Sequence, residues 1–275
     1  MEDVSKIDDY LLKIKNGYNP LNDIDVSNLL DSIEKWKDVD LRVISDDDLS
    51  NRLLSIVPFY MASMSEITTQ KIYRVRPLVE ETRLTTKDEI LYPQIEKINK
   101  AGRINNANEA VLYCSMDQVS PIYECKIKEK EWFALIQYSV KAKNKINLSN
   151  IIQDKMPDGL NDNGQLAFKI MNNFIRTEFT KPVGIGTEYL YKASRKICID
   201  MFDLPDSDGW IYHSVASFVN GYNVALKPVS VDKKLQFDCV LICQLFKIND
   251  DKKSYNFYVK HKANKIIEDK LVYEF

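Results

Sequence analysis

The order in which strand and helix patterns succeed one another limits this chain more than any single motif does. Short alternating segments begin at Lys71 with KIYRVR (Lys71–Arg76), closed by Pro77, and continue through AVLYC (Ala110–Cys114) and Trp132–Val140. They are rich in β-branched and aromatic residues, as half-buried strands are. The period then changes. After Asn163 and Gly164, Leu166, Phe168, Ile170, Met171, Phe174 and Ile175 fit a helix, and after Thr187 a second helix carries Leu190, Ala193, Ile197 and Met201. Strand patterns return after Asp208 and Gly209 as WIYHS, YNVALKP, the long run Leu235–Ile248, and Tyr255–Lys260. Strands on both sides of a helical middle do not make regular βαβ alternation. They predict an α+β fold with a mixed or antiparallel sheet core and flanking helices.

Upstream of these strands the pattern to Met64 is helical. Val4, Ile7, Leu11 and Ile14 share one face, Gly17 and Pro20 close that segment, and a second amphipathic stretch carries Leu29, Leu30, Ile33 and Trp36. A third helix is predicted over Asp46–Ile56, with Asp46, Asp47 and Asp48 near its positive N-terminal end. The expected organisation is therefore a helical N-terminal segment, 1–68, followed by a main domain, 69–275. Within the latter, Asp88–Lys100 has helical spacing through Ile90, Leu91, Ile95 and Ile98, with Pro93 marking its first turn or splitting it.

Composition narrows the function classes. The 38 Lys plus Arg against 40 Asp plus Glu give a net charge of -2, so no global positive field would hold a nucleic acid, and none is expected as a direct partner. No apolar run approaches the length of about 18 residues that suggests a membrane helix, and the N-terminus MEDVSKIDDYLLKIK is acidic and amphipathic, so a cytoplasmic protein is expected. The five cysteines form no CxxC pair; buried thiols are expected, with neither a disulfide framework nor a metal site. The chain has no GxxxxGK[ST] loop, no GxGxxG after a strand, no GxSxG elbow and no HExxH. Gly184 and Gly186 in VGIGTE read as a helix-entry loop.

Gly102–Glu124 holds the most useful chemistry: Arg103 in a polar turn, Tyr113 ending an apolar run, and Glu124. An Arg offers a planar fork to a diphosphate, and a Tyr ring packs against a planar cation. A Glu stabilises the positive charge that grows on a ribose as its glycosidic bond breaks. Taken singly, each residue also has an ordinary structural role: a solvated turn, a half-buried strand end, the exposed phase of a short segment.

Taken in order, these pieces resemble the RES domain family, named for its Arg, Glu and Ser. The matching residues are Tyr73 and Arg74, Gly102–Asn105 as GRxN, Tyr113, Glu124, DGWIYHS ending in Ser214, and GYNVAL with Asn223, spanning Ile72 to Pro228. The resemblance implies an ADP-ribosyltransferase-like fold and a toxin of a toxin–antitoxin pair that consumes NAD by cleaving its nicotinamide–ribose bond, without a metal. Water, phosphate or a protein side chain would be the acceptor; a non-catalytic sensor or scaffold keeping the fold is the alternative. It implies that Glu124, Ser214 and Arg103 serve catalysis. It also implies that Arg74, Arg103, Tyr113, Ser214 and Asn223 contact NAD, and that the partner is an Xre-like antitoxin protein. Three features depart from the family pattern: INNANEA after Arg103, His213 before Ser214, and a long insertion between Glu124 and Ser214.

Overall fold

In a computed structural model, residues 17–60, 62–184, 186–214, 221–248 and 255–274 are described. The chain divides into two compact units. One is made of the chain up to Ala62 together with Ile152–Glu178, the other of Ser63–Ile151 together with the chain from Phe179 onward. The expected face of Val4, Ile7, Leu11 and Ile14 lies outside the described residues.

The first unit is helical. Helix α1, Val26–Trp36, starts where the Asp25 carboxylate accepts the amides of Ser27 and Asn28 at 2.9 and 3.1 Å, satisfying donors that no helical carbonyl reaches. Helix α2, Asp46–Ile56, is capped by Ser45 and carries its three aspartates in the first turn. Leu29, Trp36, Leu49, Leu53 and Ile56 are buried, whereas Leu30 is 51% exposed and does not belong to the apolar face expected of it. Helix α5, Asp162–Thr180, lies about 100 residues further along the chain, and most of it packs in the same unit. The Trp36 indole donates to Glu178 at 2.9 Å and meets Phe174 edge-on, and Tyr60 donates to Asn172 and stacks on Phe168. A division at residue 68 therefore misses two things: strand β1, Ser63–Ile67, already belongs to the sheet, and α5 shares a core with the N-terminal helices.

The second unit is built on a ten-stranded sheet in the order β1-β5-β6-β7-β3-β2-β4-β8-β9-β10. Its strands are β1, β2 (Ile72–Leu78), β3 (Leu112–Ser115), β4 (Trp132–Val140), β5 (Ile146–Asn150), β6 (Gly209–His213), β7 (Tyr222–Leu226), β8 (Leu235–Ile248), β9 (Tyr255–Ile267) and β10 (Lys270–Tyr273). Among the described residues only β5 and β6 pair in parallel and the other strand pairs are antiparallel, so the sheet is mixed as expected. The remaining helices are α3 (Lys87–Ile90), α4 (Ser120–Glu124), α6 (Tyr191–Met201) and α7 (Pro228–Lys234). The helix expected over Asp88–Lys100 is split: α3 ends at Ile90 and a 3₁₀ turn follows at Ile95–Lys97. Pro93 lacks an amide hydrogen and drives the residue before it out of helical geometry.

The seam between β2 and β3 positions the site. These strands meet at a single register pair, Tyr73 with Ser115, whereas β2 pairs with β4 over its whole length, from Ile72–Tyr138 to Leu78–Trp132. Five strands thus lie on each side of a seam closed at one point. Pro77 continues β2 instead of ending it, because on the β3 side no ladder partner needs its missing donor.

Candidate functional site

A cleft of about 330 Å³ lies at this seam. Arg74 and Val75 line it from β2, Tyr113 and Ser115 from β3, Arg103 from the preceding loop and Glu124 from α4. Tyr191, Tyr212 and Asn223 are also part of its wall. A second cleft of about 490 Å³ adjoins it and shares Arg74, Gly102 and Tyr113.

Glu124 ends a helix of one turn whose start is fixed by Asp117. One Asp117 oxygen accepts the amides of Val119 and Ser120 at 2.9 and 2.7 Å, and the other accepts the Ser120 hydroxyl at 2.6 Å. Gly221 packs against this turn so closely that a Cβ there would stand 2.0 Å from Ser120 Oγ and 2.8 Å from Asp117 Oδ2. Its carbonyl accepts the Ser214 amide at 2.8 Å, which draws the end of β6 beside the start of β7. The result is a short relay. Ser115 donates to Asn223 Oδ1 at 2.7 Å, so the Asn223 amide nitrogen faces Glu124 and donates to its Oε1 at 2.7 Å. Ser214 donates to the same carboxylate oxygen, also at 2.7 Å.

Arg103 stands at the cleft wall, but its guanidinium is held by the chain itself. It donates to the carbonyl of Phe179 and, at 3.2 Å, to that of Lys181, where α5 ends and its last carbonyls lack helical partners. Its charge also lies 5.1 Å from the centre of the Tyr191 ring, and Ser194 donates to its carbonyl at 2.9 Å. Two of the five guanidinium N–H groups are engaged by these carbonyls, so the side chain is a bracket as well as a cation facing the cleft. Arg74 behaves similarly. It donates to the carbonyls of Ile90 and Leu91 at the end of α3 while lining both clefts.

The Tyr113 hydroxyl accepts the Ile104 amide at 3.2 Å and donates to Asn105 at 2.8 Å, pinning the GRIN loop while its ring lines the cleft. Burial raises this phenol well above its ordinary range, so it stays neutral. Gly102 leaves room in the loop for the Asn105 amide, whose Oδ1 a Cβ there would meet at 2.4 Å. Burial also pushes the Cys114 thiol up to about 12 and the Cys125 thiol up to about 11. Neither is suited to act as a thiolate nucleophile. His213 packs its ring on Tyr222, and His261 lies between Glu81 and Arg83 on β9.

The arrangement brings Arg74, Arg103, Tyr113, Glu124 and Asn223 to one cleft, with Ser214 attached through Glu124. Sequence reasoning missed Ser115, Asp117, Tyr191 and Tyr212. The strand period of two held a signal for two of them: Ser115 follows Tyr113 by two residues, and Tyr212 precedes Ser214 by two. Among the described residues no group of three or more His, Cys, Asp or Glu side chains has the geometry to hold a metal, and no helix is long and apolar enough to cross a membrane. Compared with known proteins, the chain matches no family model and no curated protein.

Proposed function

We propose that this chain is an NAD-consuming enzyme of the RES type that cleaves the bond between nicotinamide and ribose. The observation that carries the reading is the convergence on Glu124. Its Oε1 accepts from Ser214 and Asn223, 90 and 99 residues away in the chain, beside a cleft that Arg74, Arg103 and Tyr113 also line. A carboxylate clamped by two donors is held in one orientation and needs no reorganisation when positive charge develops beside it. In this reading the leaving pyridinium lies among the aromatic rings of the smaller cleft. Glu124 stabilises the oxocarbenium-like ribose.

The two adjoining clefts, about 330 and 490 Å³ with Arg74, Gly102 and Tyr113 in common, suit a ligand with two lobes joined by a charged link. Arg103 supplies the cation for that link with the N–H groups its carbonyl contacts leave over. A cytoplasmic enzyme of this kind would drain the cell of NAD, so the reading carries with it a neutralising Xre-like antitoxin. Incubating the purified protein with NAD and following nicotinamide release tests the reading. Parallel reactions with water alone, with inorganic phosphate and with a cell lysate name the acceptor by their products: ADP-ribose, its phosphorylated form, or labelled protein. No release under any of the three rules the reading out.

A further inference from the structure

Tyr212 stands on β6, is only 5% exposed, and lines the cleft. Its register partner on β7 is Asn223, so the two side chains share a face of the sheet beside Glu124. The ring lies tilted on Phe179 with centroids 6.0 Å apart. Neighbouring polar groups are engaged: Asn223 by Glu124 and Ser115, Tyr113 by Ile104 and Asn105. The Tyr212 hydroxyl has no hydrogen-bond partner among the described residues; its surroundings act on it through burial and the charges of Arg103 and Glu124.

Tyr212 lines the cleft, and a hydroxyl that no protein group engages there is suited to meet a ligand. Burial raises this phenol well above its ordinary range, so it is a neutral donor and acceptor at any physiological pH. The charges of a dinucleotide have other partners in the cleft, Arg103 for the diphosphate and Glu124 for the ribose. The rings of Tyr113 and Tyr191 line the same cleft, with the apolar side chains of Val75 and Pro121. A neutral hydroxyl on such a wall complements an uncharged polar substituent of a planar ring.

We infer that Tyr212 is a substrate-contacting residue whose hydroxyl hydrogen-bonds the carboxamide of the nicotinamide ring. The inference rests on the NAD reading above and names the residue that recognises the leaving group. Tyr212→Phe removes one oxygen that no described group holds, so the fold is retained, and thermal denaturation checks this. The probes are free nicotinamide and pyridine, which lacks the carboxamide, with binding measured by calorimetry on wild type and variant. The expected result is that wild type binds nicotinamide about tenfold or more tighter than pyridine and that Tyr212→Phe abolishes the difference. Wild type binding both probes equally overturns the inference without any variant. Tyr212→Phe binding nicotinamide as tightly as wild type overturns it even where NAD turnover is normal. A carboxamide preference lost in Tyr212→Phe upholds it even where wild type releases no nicotinamide from NAD, and then only the catalytic reading falls.

Discussion

Glu124 owes its position to side chains that themselves need positioning. Ser115 never touches the carboxylate, yet its hydroxyl decides which end of the Asn223 amide faces Glu124. Ser115→Ala frees that amide to turn its oxygen toward the carboxylate. The expected outcome is a five- to tenfold loss in kcat with KM little changed, about the worth of one hydrogen bond, and Ser115→Thr should restore most of it. Equal losses in kcat with alanine and threonine, or an effect confined to KM, would show that Ser115 does not act through Asn223. The cysteines make a separate prediction. With the Cys125 thiol pushed up to about 11 and Cys114 to about 12 by burial, the charged form is disfavoured in the folded state. At pH 8 the native protein should resist alkylation at both. The rate at Cys125 should climb only as pH approaches 11, whereas in denaturant both should react readily near pH 8.5. Mass-mapped alkylation against pH reads this directly.

Among the elements, those with continuous strand or helix patterns are legible residue by residue. Trp132–Val140, Leu235–Ile248 and Asp46–Ile56 run from end to end as predicted, because β-branched runs and a capped, periodic segment state their own conformation. Strands β1, β5 and β10 are not legible. SMSEI and INLSN are short and polar, and their hydroxyl and amide groups are used across strands, as in Ser65 to Asn150 at 2.9 Å and Asn150 to Ser63 at 2.9 Å. Partnership of that kind depends on residues far along the chain, which no local window contains. The same limit hides Tyr191 from the sequence and makes Arg103 look solvated, although its guanidinium meets a carbonyl 76 residues away.

Two elements carry predictions. In α4, Gly221→Ala drives a methyl group into Ser120 and Asp117. Those two side chains, which fix the start of the helix that Glu124 ends, must give way, so turnover should fall at least tenfold while the melting temperature drops by only a few degrees. Unchanged turnover would show that α4 does not fix Glu124. At the junction of β5, β6 and α7, Asp208 accepts from the Asn147 amide at 2.8 Å, Ser230 at 2.7 Å and Lys234 at 2.6 Å. Burial opposes its charge, but these hydrogen bonds and the lysine outweigh it, and its pKa lies below the ordinary value. A lowered folded-state pKa gives stability that is full above the unfolded value of about 4 and is lost as pH falls through the folded one. Asp208→Asn should therefore cost about 3 kcal/mol at pH 7, as removing one partner of a buried ion pair does. The gap from wild type should begin to narrow as pH falls below about 4 and vanish below the folded-state pKa, as denaturant melts in steps from pH 7 downward would show. A gap that does not narrow at all below about pH 4 would mean that the carboxylate charge is not what holds the junction.

On the scale of the whole molecule, the sheet decides where chemistry can occur. A ten-stranded sheet joined at one register pair between β2 and β3 opens a cleft at its middle. The walls of that cleft come from segments as far apart as Arg74 and Asn223. Strand order was not readable from the sequence, because period and composition specify strands and not their neighbours, yet it is what unites the site. Of the ordered pieces from Tyr73 to Asn223, Arg74, Arg103, Tyr113, Glu124 and Asn223 line the one cleft, and Tyr73 does not. If the united site is an NAD site, ligand binding must stabilise the folded chain by linkage. A Glu124→Gln protein, which should bind without consuming the ligand, gains about 2.7 kcal/mol at NAD a hundredfold above its Kd. For 275 residues that is a rise of about 5 °C or more in melting temperature.

Glu124 is the residue on which the account turns, and nicotinamide release from NAD by wild type and Glu124→Gln, measured side by side in the conditions that name the acceptor, tests it most directly. Wild type should release nicotinamide steadily, and Glu124→Gln, with unchanged stability, should lose at least about a hundredfold in kcat, because the charge that would stabilise the ribose cation is gone. Release by Glu124→Gln at the wild-type rate would contradict it.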